Sequence, residues 1–150
     1  MTPIAVNRQA RQKYELFDKY EAGIALKGAE VKSIREGRVN LKDSFVRVVG
    51  NEVFLVNCHI SPYSHIQDIG LANPTRMRKL LLKRAEIDRL KGQIQRKGHT
   101  AVPLAVYFKK GLAKVEVAVA KGKKEFDKRE TIRRRIAERE ASRAIKRRKI

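Results

Sequence analysis

The chain has 150 residues, 42% hydrophobic and 35% charged, with 36 Lys and Arg against 16 Asp and Glu and a net charge of +20. The apolar content is enough for one domain with its own core, and a lone cysteine, Cys58, excludes an intramolecular disulfide. No stretch nears the roughly 20 apolar residues of a membrane span, and the opening MTPIAVNRQARQ has no secretory apolar core, so a cytoplasmic protein with no membrane partner is expected.

In chain order, a short helix is predicted over residues 6–11 and a long strand over 14–26, YELFDKYEAGIAL, with a bulge or bend at Gly23. Residues 28–37 place Val31 and Ile34 on one helical face and end on Gly37, a C-terminal cap. FVRVVGNEVFLV, residues 45–56, is a hairpin whose Gly50-Asn51 pair suits a two-residue type II′ turn. Residues 61–76 read as a long loop punctuated by Pro62, Gly70 and Pro74, followed by a short strand over 77–82. Ile87, Leu90 and Ile94 give residues 83–97 a helical face ending at Gly98. Residues 104–120 form a second hairpin, LAVYF and LAKVEVAVA about a KKG loop, with Val115, Val117 and Val119 alternating against Lys114 and Glu116.

At least six antiparallel strands with helices at the edges predict a mainly β fold: an OB-like antiparallel β-barrel with two to three flanking helices. Composition shifts near Lys121, so the barrel is assigned to residues 1–120 and a basic tail to 121–150. The tail has 14 Lys and Arg and 5 acids in 30 positions, a net +9 that leaves about +11 on the body. It cannot bury enough surface to order alone, yet its Ala, Arg, Glu and Lys are helix formers. A polyanion would relieve the repulsion, so a tail that is disordered alone and helical when bound is expected.

The basic body and tail are the electrostatic footprint of a nucleic-acid binder. Asn7, Arg8, Arg11, Lys13 and Tyr14 form one basic cluster. Lys27, Lys32, Arg35 and Arg38 surround the second helix, Arg76, Arg78 and Lys79 follow the loop, and Lys109, Lys110 and Lys114 lie on the last hairpin. With 6% aromatic residues and no RRM signature, recognition of RNA shape and backbone fits better than base stacking on a sheet. Catalysis has little support. His59, His65 and His99 lack metal spacing, and Cys58-His59 points to opposite faces of a strand. Glu30, Glu36 and Asp43 are read as ion-pair partners of Lys32, Arg35 and Arg38 rather than as a metal cluster. The GKK at 122–124 is no phosphate loop. Neither enzyme activity, cofactor nor metal is expected.

Several long strings carry a resemblance. NRQARQKYELFDKYEAGIALKGAEVKSIREGRVNLKDSF at 7–45, NCHISPY at 57–63, PTRMRKLLL at 74–82 and KVEVAVAKGKKEFDKRETI at 114–132 resemble the SsrA-binding (small protein B) family of bacterial trans-translation, over roughly residues 7–145. The resemblance implies an adaptor that binds the tRNA-like domain of tmRNA and brings it to stalled ribosomes, with the tail in the decoding centre and messenger channel. Elongation factor Tu and alanyl-tRNA synthetase would act on the same RNA, and a monomer is expected. The family's RNA-facing positions map to Asn7, Arg8, Arg11, Tyr14, Glu21, Lys32, Arg76, Arg78, Lys79, Leu81 and Lys114, and Arg35 is added from its place beside them. Glu21 would accept from a 2′-OH or base amino group, or orient an Arg, and Leu81 would pack under the RNA. The ribosome-facing tail maps to Lys121, Gly122, Lys123, Lys124, Phe126, Asp127, Lys128 and Arg129, with Arg133 and Arg134 beyond. The chain departs from the pattern at Gln12, where many relatives have His, at Phe126, often Tyr or His, and in the loop 64–73. The competing classes are a structural ribosomal protein with an rRNA-penetrating tail and a nuclease using Glu30 and Asp43.

Overall fold

The computed structural model describes residues 2–61 and 73–122. The elements are β1 (Ala5–Val6), α1 (Arg8–Lys13), β2 (Tyr14–Ile24), α2 (Gly28–Arg35), β3 (Val39–Asn40), β4 (Phe45–Val49), β5 (Glu52–Val56), β6 (His59–Ile60), β7 (Arg78–Leu81), α3 (Arg84–Ile94), β8 (His99–Lys109) and β9 (Leu112–Gly122). The strands pair in the order β8-β4-β5-β7-β2-β9, and β9 pairs back with β8. All these pairings are antiparallel, so six strands close a ring that leaves no long unpaired edge. The architecture is mainly β with three helices, consistent with the expected OB-like form. β1 adds to β8 beside the ring, and β3 pairs with β6 in a small separate ladder.

Alternation decides what fills the ring. Val115, Val117 and Val119 on β9, Tyr20 and Ala22 on β2, Val53 and Leu55 on β5 and Leu80 on β7 are buried together, and Ile34 of α2 and Leu90 of α3 join them. A second cluster lies on the outside. Ala10 of α1 packs on Val102, Leu104, Ala118 and Ala120, flanked by Tyr14 and Leu16. The small Ala118 and Ala120 side chains let α1 approach the sheet closely. Asn7 fastens that helix: its Oδ1 accepts the Ala10 N–H at 3.2 Å, and its Nδ2 donates to the Pro103 carbonyl at 2.9 Å.

The turns follow their residue types. Val49 pairs with Glu52 across a two-residue loop, with Gly50 at φ +61° and Asn51 not at positive φ, as a type II′ turn requires. Gly37 caps α2 at φ +77°. Four expectations need correction. Lys109 pairs with Leu112, so the second hairpin turns on Lys110 and Gly111, at φ 52° and 77°, a two-residue type I′ loop rather than KKG. The irregularity in β2 lies between Leu16 and Lys19, whereas Gly23 stays in register opposite Leu81 and Lys114. α3 stops at Ile94 and β8 begins at His99, five residues before the expected strand. There the period-two signal is lost because α1 covers Val102, so residues on both faces are apolar. Finally, β9 runs through Lys121 and Gly122, which are strand residues rather than the start of the tail.

Candidate nucleic-acid interface

The outward residues of neighbouring strands form two rows across β7, β2, β9 and β8. In one, Leu81 lies opposite Gly23, Gly23 opposite Lys114, and Lys114 opposite Tyr107. In the next, Glu21 lies opposite Glu116 and Glu116 opposite Ala105, with Val6 of β1 beyond. The middle of the first row is low because Gly23 has no side chain. A Cβ there would meet Leu81 Cβ at 3.3 Å, so Leu81 leans over the gap while remaining 53% exposed. An exposed leucine beside a lysine on the outer face of the ring can pack under a sugar or base while the cation meets phosphate.

Arg11, from α1, lines a recess with Glu21, Tyr107, Glu116, Leu104 and Ala105. Arg11, Glu21, Leu81 and Lys114 are thus brought to adjoining parts of one face. On the other flank of α1, Lys13 and Tyr14 line a second cleft with Asp43, Phe45 and Thr100, and Arg8 is exposed on α1 itself. Lys79 points outward on β7 two residues before Leu81 and is 3.8 Å from Glu52 in a half-exposed pair, an interaction too solvated to hold it firmly. The Arg35 guanidinium lies 4.7 Å over the Phe108 ring, which fixes its plane near the end of β8. Lys32 is exposed on α2.

Two expected RNA contacts are structural instead. Arg78 is fully buried at 0% exposure. Its Nε donates to Glu30 Oε2 at 2.6 Å, its Nη1 to the Cys58 carbonyl at 2.7 Å and its Nη2 to the Pro74 carbonyl at 2.9 Å. No phosphate can reach it. Asn7 is 6% exposed, its amide taken up by the α1 cap and the Pro103 carbonyl. Arg76 is half-buried and bidentate to Glu30, at 2.5 and 3.2 Å. Glu30 therefore pairs with Arg76 and Arg78, which lie at the entry to and on β7. Glu36 pairs with Arg38 at 3.2 Å, as expected. Burial opposes ionisation of Glu30, but hydrogen bonds from Arg76, the Lys27 N–H and Arg78, with the Arg78 charge, outweigh it and lower its pKa.

Glu21 shares the outer face with a second acid, Glu116, across the ladder. The Tyr107 hydroxyl donates to Glu21 Oε2 at 2.5 Å and Lys109 Nζ to Glu21 Oε1 at 3.2 Å. These bonds, Tyr107 first, hold the Glu21 pKa below the ordinary carboxylate range. The Tyr107 hydroxyl is pushed well above its usual value, by desolvation and then by Glu21. Tyr107 was missed in the sequence. Its signal was its outward place in the alternation, flanked by Lys109 and Lys114. Cys58 is buried, its thiol pushed up to about 11 by desolvation, while His59 is exposed, so the pair diverges as expected. Among the described residues no group of three or more His, Cys, Asp or Glu could hold a metal, and no helix is long and apolar enough to cross a membrane. Of the expected ribosome contacts, Lys121 and Gly122 are on β9; Lys123, Lys124, Phe126, Asp127, Lys128, Arg129, Arg133 and Arg134 lie outside the described residues.

Fold and face together define a closed antiparallel barrel of OB-like form with a cationic outer surface beside a fastened N-terminal helix. The SmpB protein family model matches residues 4–147, and the chain belongs to that family. It is 58% identical over 143 residues to the SsrA-binding protein of Caldanaerobacter subterraneus subsp. tengcongensis, covering 95% of this chain and 90% of the relative. It is 55% identical to the SsrA-binding protein of Halalkalibacterium halodurans, covering 95% and 92%. A solved structure described as "tmRNA-SmpB: a journey to the center of the bacterial ribosome" matches with a TM-score of 0.69 at 48% identity, covering 82% of this chain and 86% of that one.

Proposed function

We propose that this chain is a non-enzymatic RNA-binding adaptor. It binds the tRNA-like domain of tmRNA and delivers it to stalled ribosomes for trans-translation. The observation that carries the reading is the outer barrel face, where Leu81, the gap at Gly23 and Lys114 form one row beside Arg11 and Glu21. An outer face that offers cations and an acid beside an apolar step suits the backbone and unpaired bases of a folded RNA. Relatives more than half identical are named for binding SsrA RNA, and a structural neighbour is described with tmRNA and the bacterial ribosome.

In this reading Arg8, Arg11, Tyr14, Glu21, Lys32, Arg35, Arg76, Lys79, Leu81 and Lys114 face the RNA, while Asn7 and Arg78 shape that face from within. Residues from Lys123 onward engage the decoding centre and the messenger channel of the small subunit. The protein works as a cytoplasmic monomer, and elongation factor Tu and alanyl-tRNA synthetase meet it only through the shared RNA.

The test is to sequence the RNA that copurifies with the intact chain from its own cells at moderate salt. One dominant small RNA with a tRNA-like end and a short reading frame is expected. Stoichiometric ribosomal RNA without such an enriched species would favour a structural ribosomal protein and overturn the adaptor reading.

A further inference from the structure

Glu21 is an acid set among cations, and its placement needs an explanation. It faces Glu116 directly across the β2–β9 ladder, a like-charge pairing that by itself is unfavourable. A carboxylate here also repels the phosphates that Lys114 attracts. Yet the side chain is held. Tyr107 and Lys109, both on β8, reach over β9: the hydroxyl bonds Oε2, and Lys109 Nζ bridges Oε1 at 3.2 Å and Oε2 at 3.5 Å. An ionised carboxylate offers about four lone-pair sites, so Oε1, with a single donor, keeps capacity for one more. Glu21, Tyr107 and Glu116 border the same recess as Arg11, above the apolar Leu104 and Ala105.

We propose that Tyr107 and Lys109 are positioning residues that hold Glu21 as an acceptor at the mouth of this recess, where it takes a hydrogen bond from an RNA donor, either a ribose 2′-hydroxyl or a base N–H. The inference rests on the RNA-binding reading above and adds the device that makes the acid useful. A phosphate brings no proton to share, so a fixed carboxylate penalises bare backbone and favours a donor in register. Lys114 is close enough to Glu21 to stabilise its charge. Without the Tyr107 hydroxyl, only the exposed Lys109 pair holds the carboxylate, too weakly to keep it from turning toward Lys114. That movement removes the acceptor and neutralises a phosphate-binding cation together.

The test is a double-mutant cycle in the full chain: Tyr107→Phe, Glu21→Gln and both, measured by equilibrium binding to the transcribed tRNA-like RNA. Tyr107→Phe keeps the ring and so its packing. It is expected to weaken binding about tenfold, the scale of one hydrogen bond to a charged group, and to add little once Glu21 is Gln. Additive losses would overturn the proposal, because Tyr107 would then act independently of Glu21. RNAs with single 2′-deoxy or inosine-for-guanosine substitutions identify the donor: one such change should weaken the wild type and leave Tyr107→Phe indifferent. If no substitution behaves so, the acceptor role falls. A carboxyl NMR titration of the free protein reads the tether without RNA. The Glu21 midpoint should rise in Tyr107→Phe. An unmoved midpoint with RNA binding intact overturns this inference alone, whereas a wild type that does not bind the RNA overturns it and the adaptor reading together.

Discussion

Glu30 does more at the scale of single residues than any candidate cation. It closes the N-terminal capping box of α2 through the Lys27 N–H at 2.8 Å and neutralises the buried Arg78. Glu30→Gln should cost on the order of 3 kcal/mol in urea unfolding at pH 7, because it strands a buried charge; the two carbonyl bonds to Arg78 keep it at the low end. The pH dependence has a definite sign. The Glu30 pKa is lowered from 4.5 in the folded chain, so its contribution is fully present above the unfolded value and fades as pH falls through the folded one. The gap between wild type and Glu30→Gln should therefore begin to narrow below about pH 4.5; a gap unchanged at pH 3 would contradict the pairing. At the second hairpin, Lys110 occupies positive φ at 52°, which L residues resist and Asn tolerates best after Gly. Lys110→Asn should raise stability by up to about 1 kcal/mol, read as a shift in the denaturation midpoint without a change in slope.

Among the elements, α1 is the least secured by its own length: six residues form less than two turns, too short to persist unaided. Its place depends on the alanine floor of β9 and on Asn7. Asn7→Ala should cost about 1–2 kcal/mol, combining a lost cap with a lost bond to Pro103. It should also weaken RNA binding without removing any contact to the RNA, since Arg8 and Arg11 ride on this helix. Amide exchange confined to residues 8–13 would reveal the fraying; uniform exchange across the barrel would argue for global destabilisation instead. β9 was legible in the sequence because Val115, Val117 and Val119 face the ring while Lys114 and Glu116 face out. The start of β8 was not, because α1 hides Val102 and erases the alternation. The two-residue strands β1, β3 and β6 carry no periodicity, since a period of two needs more than two residues to show.

Over the whole molecule, the ring is complete at Gly122, so truncation after that residue should leave a folded barrel that unfolds cooperatively. In the adaptor reading it retains affinity for the isolated RNA and loses tagging on stalled ribosomes; loss of RNA binding would contradict that division. With about 8 phosphate contacts, affinity should fall on the order of 10³–10⁵ between 50 and 200 mM salt, and Lys114→Ala should reduce the slope by about one contact.

The sequence by itself determined the mainly β class, the approximate helix positions, the turn at Gly50-Asn51 and the cationic character, because periodicity, glycine placement and charge are local properties of the chain. Family membership was legible as well, through long strings of residues. Only the tertiary structure decided which cations remain available. Arg78 and Lys79 are neighbours in the sequence, yet one is fully buried and the other exposed. The difference comes from strand alternation and from Glu30, 48 residues away. Tyr107 likewise meets Glu21 from 86 residues away. The pairing of β2 with β7 and, through β9, with β8 creates both encounters, and no local pattern records them.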